Sequence, residues 1–223
     1  MARSTIPTDV NLFALPPGLP EPADDGAARH LVGAVIPHVR LRSTGGRTVD
    51  VAEVAEELSV LFFYPATVRP GIPIPGEWSE VPGARGCTLQ NCAFRDQHAA
   101  FRSLSCSVYG VSGQGQDREQ GLAEQVEFSN RVGLPFELLN DSDFELTRAL
   151  GIPTFVANLA QPTARFEGQE YDFPLQGRTL VKRITLVVDR GRVVKVFYPV
   201  FPPDLNAARV LEYLRQPGSS PRS

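Results

Sequence analysis

The sequence predicts a layered α/β domain, and three observations carry that prediction. Apolar runs typical of strands alternate with helical patterns between residues 33 and 215. One run, residues 60–64, is apolar throughout, as expected for a strand covered on both faces. The chain has 223 residues, 42% of them hydrophobic, which suits one folded domain with additions.

The separate elements follow from local patterns. Strands are predicted at 35–41, 60–64, 106–111 and 136–139, and a hairpin at 180–188 and 193–198. Helices are predicted at 51–58, 88–104, 117–132, from 141 or 142 to near 151, and 203–215. Asp117 is the expected N-cap of the helix at 117–132, and Gly133 is the expected residue just past its end.

Composition divides the chain into three parts. Residues 1–26 form a Pro-rich N-terminal extension, 27–215 the folded domain, and 216–223 a flexible tail. Two long segments interrupt the domain. Residues 66–86 are rich in Pro and Gly and contain the single tryptophan, Trp78, and residues 153–177 are irregular, with a strand expected at 154–157. Loops of this length are usually functional or mobile.

Charge and hydropathy exclude several function classes. The net charge is −3, with both signs interspersed, so nothing favours binding to nucleic acid or to an anionic membrane. No run approaches the roughly 20 apolar residues of a membrane helix, and the N-terminus lacks the apolar core of a secretory signal. We therefore expect a cytoplasmic protein with reduced thiols. The three histidines show no ligand spacing with the three cysteines, so no metal and no cofactor are expected.

The most informative segment is residues 82–96, a Gly-rich turn that leads from an apolar strand region into a helix. Cys87 is predicted at the helix start, beside unpaired N–H groups and the positive end of the helix dipole. Both favour a thiolate, and Arg85 adds positive charge nearby. A thiolate attacks the O–O bond of peroxides. The Gly-rich turn also predicts that Cys87 is exposed.

Cys92 is the candidate for a second reacting thiol. A cysteine sulfenic acid condenses with a thiol to form a disulfide. On a regular helix the Cα atoms of residues i and i+5 are roughly 8–9 Å apart, whereas a disulfide tolerates at most about 7 Å. The helix start would therefore have to unwind before the bond closes. A buried structural role is the alternative for Cys92 and the favoured interpretation of Cys106.

Residues 86–96 read Gly-Cys-Thr-Leu-Gln-Asn-Cys-Ala-Phe-Arg-Asp. They resemble the signature of the Q-type peroxiredoxins, also called bacterioferritin comigratory proteins: Gly-Cys-Thr-x-Glu-x-Cys-x-Phe-Arg-Asp. Gln90 replaces the family glutamate, and segments similar to the family's follow in order at 61–65, 108–112, 133–141 and 182–189. The resemblance extends from about residue 33 to 215. It implies a thioredoxin fold with a central mixed β-sheet flanked by helices, here with an N-terminal extension and two insertions.

The resemblance also implies roles for individual residues: a peroxidatic Cys87, a resolving Cys92 and an activating Arg183. It implies a hydroperoxide substrate, recycling by thioredoxin or a similar dithiol reductant, and a monomer or weak dimer. The sequence supports the activating role of Arg183 independently of the resemblance, because a charged side chain inside an apolar strand is rarely buried without a partner. A guanidinium near Cys87 would stabilise the thiolate and donate to peroxide oxygens. An arginine on an edge strand, facing water, is the alternative.

The sequence departs from the family pattern before Cys87. The family's proline and threonine positions are Glu80 and Ala84 here. Thr67 is the residue we expect to supply the missing hydroxyl by folding back across the insertion, and an ordinary loop residue is the alternative. Pro82 is the candidate replacement for the family proline.

Two other functions remain open at this stage. A thiol–disulfide oxidoreductase on the same fold would be expected to carry Cys-x-x-Cys, but the spacing here is Cys-x4-Cys. A peroxide sensor or holdase would use Cys87 to signal. Its first chemical step is the same as that of a peroxidase.

Overall fold

The computed structural model describes residue 12 and residues 14–216. These residues form eleven strands: β1 (Arg40–Ser43), β2 (Thr48–Asp50), β3 (Ser59–Phe63), β4 (Ser107–Ser112), β5 (Leu138–Asn140), β6 (Thr154–Ala157), β7 (Thr163–Phe166), β8 (Gln169–Asp172), β9 (Arg178–Val181), β10 (Ile184–Asp189) and β11 (Arg192–Phe197). The α-helices in the same residues are α1 (Val51–Val54), α2 (Cys87–Asp96), α3 (His98–Ser103), α4 (Arg118–Val132), α5 (Glu145–Leu150) and α6 (Asn206–Arg215). None of these helices is long and apolar enough to cross a membrane.

Seven strands form a central mixed sheet in the order β11-β10-β3-β4-β5-β1-β2. β3, β4 and β5 are parallel, and the remaining neighbours pair antiparallel. Every residue of β3 is buried, which confirms the strand predicted from the apolar run at 60–64. The predicted α/β class with a central mixed sheet is confirmed.

Alternation along β3 divides the core between the two faces of the sheet, because successive side chains of a strand point to opposite sides. Val60 and Phe62 pack in one cluster with side chains of α2, α3, α4 and α6. Leu61 and Phe63 pack in the other with side chains of α1 and α5. Cys87 therefore begins a helix whose inner face is fixed against the central strand.

Several predicted elements have different bounds in the structure. The helix expected at 51–58 covers only Val51–Val54, and the helix expected from 141 or 142 begins at Glu145. The strand expected at 35–41 begins only at Arg40, because Pro37 has no N–H to donate to a ladder. The helix expected at 88–104 is broken at Gln97, where the backbone leaves helical angles. Phe101 of α3 then packs on Phe94 of α2, with ring centroids 5.5 Å apart. The strand expected at 180–188 is divided into β9 and β10, which belong to different sheets.

The two insertions pack on each other. The first contains a 3-10 helix, Gly76–Glu80. The second contains the strand predicted at 154–157, which is confirmed as β6 and pairs with β9, followed by the β7–β8 hairpin. Trp78 lies 5.0 Å from Phe173 and 6.2 Å from Phe155 between ring centroids. The carboxylate of Glu77 accepts hydrogen bonds from the backbone N–H groups of residues 160 and 161, which lowers its pKa.

Parts of the two predicted terminal segments fall outside the described residues: 1–11 and 13 of the extension, and 217–223 of the tail. The inner part of the extension runs over the domain. Leu12 packs with the apolar cluster that the two insertions form around Trp78.

Candidate active site

Cys87 is the first residue of α2, as predicted, and Gly86 precedes it in a left-handed conformation with φ 97°. A Cβ on Gly86 would lie 2.3 Å from Cγ of Pro203, so only glycine fits this turn. The side-chain amide of Asn91 donates to the Cys87 carbonyl oxygen at 2.9 Å. Cys87 therefore lies at the end of α2 whose unpaired N–H groups favour a nearby negative charge.

The predicted exposure of Cys87 is wrong. Its exposed fraction is 6%, and it lines a cavity of only about 30 Å³. Leu12 and Leu15 of the N-terminal extension cover this cavity from one side, and Trp78 of the first insertion lines it as well. The Gly-rich turn predicted an open loop, but the distant N-terminal extension and the insertion just before Cys87 both cover the sulfur.

Arg183 donates from Nη2 to the sulfur of Cys87 at 3.2 Å. The same nitrogen lies 3.1 Å from the carbonyl oxygen of Arg85 and 3.4 Å from that of Gly83. Arg183 is 3% exposed, which excludes the alternative of an edge-strand arginine facing water. It does not lie inside a strand as predicted, because the chain passes from β9 to β10 at this point and the Lys182 N–H bonds to the Pro153 carbonyl oxygen instead.

No carboxylate of the described residues lies within 4.0 Å of the Arg183 guanidinium. A buried cation is costly unless an anion compensates it. The sulfur of Cys87 is the contacting group that can become anionic. A negative charge on this sulfur would be the counter-ion that the guanidinium of Arg183 lacks.

Gln90 orients the guanidinium through a buried polar network. Its Oε1 accepts from Nη1 of Arg183 at 2.5 Å, and its Nε2 donates to Oδ1 of Asn206 at 3.0 Å. Thr185 donates its hydroxyl to the same Asn206 oxygen at 2.7 Å. Because the Asn206 oxygen accepts from the Gln90 amide, the amide oxygen must face Arg183. One guanidinium nitrogen, Nε, is buried and has no partner among the described residues.

Cys92 lies on α2, one turn and a half after Cys87, and is buried with an exposed fraction of 6%. Burial raises the pKa of its thiol. The helix is unbroken from Cys87 to Asp96, so the two sulfurs cannot join without unwinding of its first turn. All three cysteines are free thiols. Cys106 is buried before β4, where burial raises its pKa to about 12.

The structure does not bring Thr67 to the cavity at Cys87. Its N–H and hydroxyl both donate to Oε1 of Gln114, at 3.0 and 3.1 Å. Its neighbours Ala66 and Val68 line that cavity, while Thr67 lines a different one. Ala84 is buried at the cavity wall. Pro82 lies near Arg183 on the wall of another cavity.

Comparison with known proteins gives the family. The model of the AhpC/TSA family matches residues 81–197, slightly more than half of the chain. The chain belongs to the AhpC/TSA family. The match begins in the first insertion and includes Cys87, Cys92 and Arg183.

Relatives of this AhpC/TSA protein confirm the resemblance to Q-type peroxiredoxins. It is 28% identical over 184 residues to "Peroxiredoxin Q, chloroplastic" of Oryza sativa subsp. japonica, covering 82% of this chain and 66% of the relative. It is also 28% identical over 185 residues to "Peroxiredoxin Bcp" of Bacillus subtilis (strain 168), covering 82% and 94%. The chain thus spans just under two thirds of the rice relative's length.

Solved structures agree on the fold. Peroxidoxin BcpB from Mycobacterium tuberculosis superposes with a TM-score of 0.57 at 23% identity, covering 82% of this chain and 96% of that one. Peroxiredoxin Q from Xanthomonas campestris gives a TM-score of 0.57 at 20% identity, covering 83% and 96%. The thioredoxin fold predicted from the resemblance is confirmed.

Sequence reasoning missed part of the site of this AhpC/TSA protein. Gln90 departs from the family glutamate, but no sequence pattern connects it with Arg183. Asn206 opens α6 as an unremarkable polar residue, more than 100 positions from Gln90. Both residues are uncharged amides, and their burial, which only the structure shows, distinguishes them from surface residues.

Proposed function

We propose that this protein is a thiol peroxidase that reduces hydrogen peroxide and organic hydroperoxides at Cys87. One observation carries the proposal: the 3.2 Å contact between the Arg183 guanidinium and the Cys87 sulfur, at the start of a helix. A thiolate held there is a nucleophile with hydrogen-bond donors beside it. The relatives named peroxiredoxin support the same assignment.

In the first step the Cys87 thiolate attacks the outer oxygen of ROOH. The S–O bond forms as the O–O bond breaks, so that sulfur is oxidised to sulfenic acid and the peroxide is reduced. The departing RO⁻ takes a proton from water and leaves as alcohol, or as water when R is hydrogen. Negative charge moves from sulfur to the departing oxygen, and the unpartnered Nε of Arg183 is a donor available to it.

In the second step Cys92 attacks the sulfenic sulfur and displaces hydroxide, which is protonated to water, leaving a Cys87–Cys92 disulfide. The first turn of α2 must unwind for this. A thioredoxin-type dithiol then returns both cysteines to thiols by two exchange reactions. We also propose a cytoplasmic location, which keeps the three thiols reduced, and a monomer or weak dimer.

Turnover separates this proposal from the alternatives. The protein at micromolar concentration, given thioredoxin and thioredoxin reductase as the only reductant, is expected to consume many equivalents of peroxide. A sensor or holdase would be oxidised once and stop, and a thiol–disulfide oxidoreductase would reduce a model disulfide faster than a peroxide. Either result would overturn the assignment.

A further inference from the structure

The N-terminal extension forms the outer wall of the cavity at Cys87. Leu12, Ala14 and Leu15 all line this cavity, and Ala14 is exposed, so the cavity meets the surface along the extension. We call residues 14–26 the strap. The strap lies outside the part of the chain that the AhpC/TSA family model matches.

Leu15 of the strap packs directly on the turn before Cys87. A Cβ on Gly86 would lie only 3.1 Å from Cδ2 of Leu15, so this methyl group lies against the residue next to the sulfur. Further along the strap, Pro22 packs on the same turn, and a Cβ on Gly83 would lie 3.6 Å from its Cγ. The strap therefore crosses the Gly-rich turn, and Leu15 covers the end of the turn at Cys87.

The strap is fastened to the domain beyond Pro22. Asp25 accepts from Nζ of Lys182 at 2.6 Å and from the hydroxyl of Tyr198 at 2.8 Å. The hydrogen bond from Lys182 holds the pKa of Asp25 well below its usual range, so the carboxylate stays charged at neutral pH. An exposed ion pair stabilises a protein little, but these two bonds fix the position at which the strap joins the domain.

The space left under the strap is small. The cavity at Cys87 has a volume of about 30 Å³, and a water needs about 10–15 Å³ of such space. The two oxygens of hydrogen peroxide therefore fit beside the sulfur, whereas a phenyl or tert-butyl group does not. Ile74 and Trp78 also line the cavity, but both are buried in the first insertion. Leu15 is half-buried, so its side chain can be shortened with less effect on the core.

We propose that Leu15 of the strap determines the size of the substrate at Cys87, so that the protein reduces hydrogen peroxide in preference to hydroperoxides with a bulky organic group. This inference rests on the proposed peroxidase function and narrows its substrate class. The chemistry is unchanged: the S–O bond forms, the O–O bond breaks, and the departing hydroxide takes a proton from water. The strap excludes bulky hydroperoxides because it leaves no space for carbon atoms beside the departing oxygen.

The test compares hydrogen peroxide with cumene hydroperoxide as oxidants of Cys87 in the full chain. Leu15→Ala shortens the side chain to one methyl group and opens the cavity toward the surface. Leu19→Ala is the matched control, because Leu19 is a half-buried leucine of the same strap and is not among the residues that line the cavity. Rapid quenching and mass spectrometry give the second-order rate constants, and circular dichroism checks the fold of each variant.

Leu15→Ala is expected to raise the rate constant for cumene hydroperoxide about tenfold or more, and to leave that for hydrogen peroxide within about twofold. Leu19→Ala is expected to change neither. The assignment of Leu15 would be overturned by an unchanged rate constant for cumene hydroperoxide in Leu15→Ala, by an equal gain for both peroxides, or by the same gain in Leu19→Ala.

A measurement on the unaltered protein covers the case in which a variant does not fold. The rate constants for hydrogen peroxide, tert-butyl hydroperoxide and cumene hydroperoxide are each divided by the rate constant of the same peroxide with the thiolate of N-acetylcysteine. This quotient is expected to fall about tenfold or more from the smallest peroxide to the largest, and a constant quotient would contradict the proposal. Failure of the peroxidase function looks different, since none of the three peroxides would then oxidise Cys87 faster than N-acetylcysteine.

Discussion

Arg183 donates to the sulfur of Cys87 across 3.2 Å, although 96 positions separate the two residues in the sequence. Gln90 holds the other end of the guanidinium, and it is neutral where the Q-type signature has glutamate. A carboxylate would share the positive charge of Arg183, whereas an amide accepts the hydrogen bond and leaves that charge directed at the sulfur.

Removing the nucleophile should abolish activity. Cys87→Ser is expected to lower peroxide consumption about a thousandfold or more, because a hydroxyl at this position is not ionised near neutral pH. The assay uses dithiothreitol as the reductant, so that the result does not depend on a particular thioredoxin. Cys106→Ser is the control and should keep full activity, since burial holds the pKa of Cys106 at about 12 and the thiol stays protonated. Activity retained in Cys87→Ser would contradict the assignment of Cys87 as the attacking thiol.

Oxidation with one equivalent of peroxide should link Cys87 to Cys92 within one chain. Peptide mapping without reductant is expected to recover both cysteines in one joined fragment. In Cys92→Ser, sulfenic acid and then sulfinic acid should accumulate at Cys87, because no second thiol on α2 remains to capture it. An intermolecular bond, or linkage through Cys106, would show that Cys92 is only a buried core residue.

Arg183→Ala should slow the reaction of Cys87 with peroxide about ten- to hundredfold, because a charge-assisted hydrogen bond contributes roughly 1.5–3 kcal/mol. Arg183→Lys should restore only part of the rate, since an ammonium cannot contact Gln90 and the sulfur in the same fork. Stopped-flow kinetics gives the rate constant, and urea unfolding reports any loss of stability. An unchanged rate in Arg183→Ala would place this residue outside the reaction.

Gly86→Ala should destabilise the protein by more than the same change at Gly133. Both residues have positive φ, which costs a non-glycine residue roughly 1–2 kcal/mol. A Cβ at Gly133 meets nothing within 4 Å, whereas at Gly86 it would lie 2.3 Å from Pro203. The free energy of unfolding in urea is the measurement. Equal losses in the two variants would mean that the turn before Cys87 relaxes freely.

Trp78 should report the redox cycle. It is buried, lines the cavity at Cys87 and packs between Phe155 and Phe173. Disulfide formation unwinds the start of α2 and so changes the wall opposite this side chain. Its fluorescence is expected to change on addition of peroxide, to return with dithiothreitol and to stay constant in Cys87→Ser. Constant emission during complete disulfide formation would show that the insertion is a static cover.

Local sequence determined much of the fold and the position of Cys87 at a helix start. The apolar run at 60–64, the helix start at Cys87 and the strand at 154–157 were all predicted correctly, because each depends on residues close together in the chain. The helix at 117–132 is equally local: Asp117 caps α4 by accepting from the Gln120 N–H, and Gly133 ends it in the left-handed conformation. The motif around Cys87 also led to the correct family.

Tertiary structure alone decided what surrounds the sulfur. Burial of Cys87, the packing of the two insertions around Trp78 and the network from Arg183 through Gln90 to Asn206 join segments far apart in sequence. The strand predicted at 180–188 shows the limit most clearly. The strand propensity of residues 180–188 is continuous. In the structure, however, β9 pairs with β6 and β10 pairs with β3, so the segment belongs to two sheets. The break between β9 and β10 places Arg183 at Cys87. Pairing partners of a strand depend on the whole chain, so no local pattern contains them.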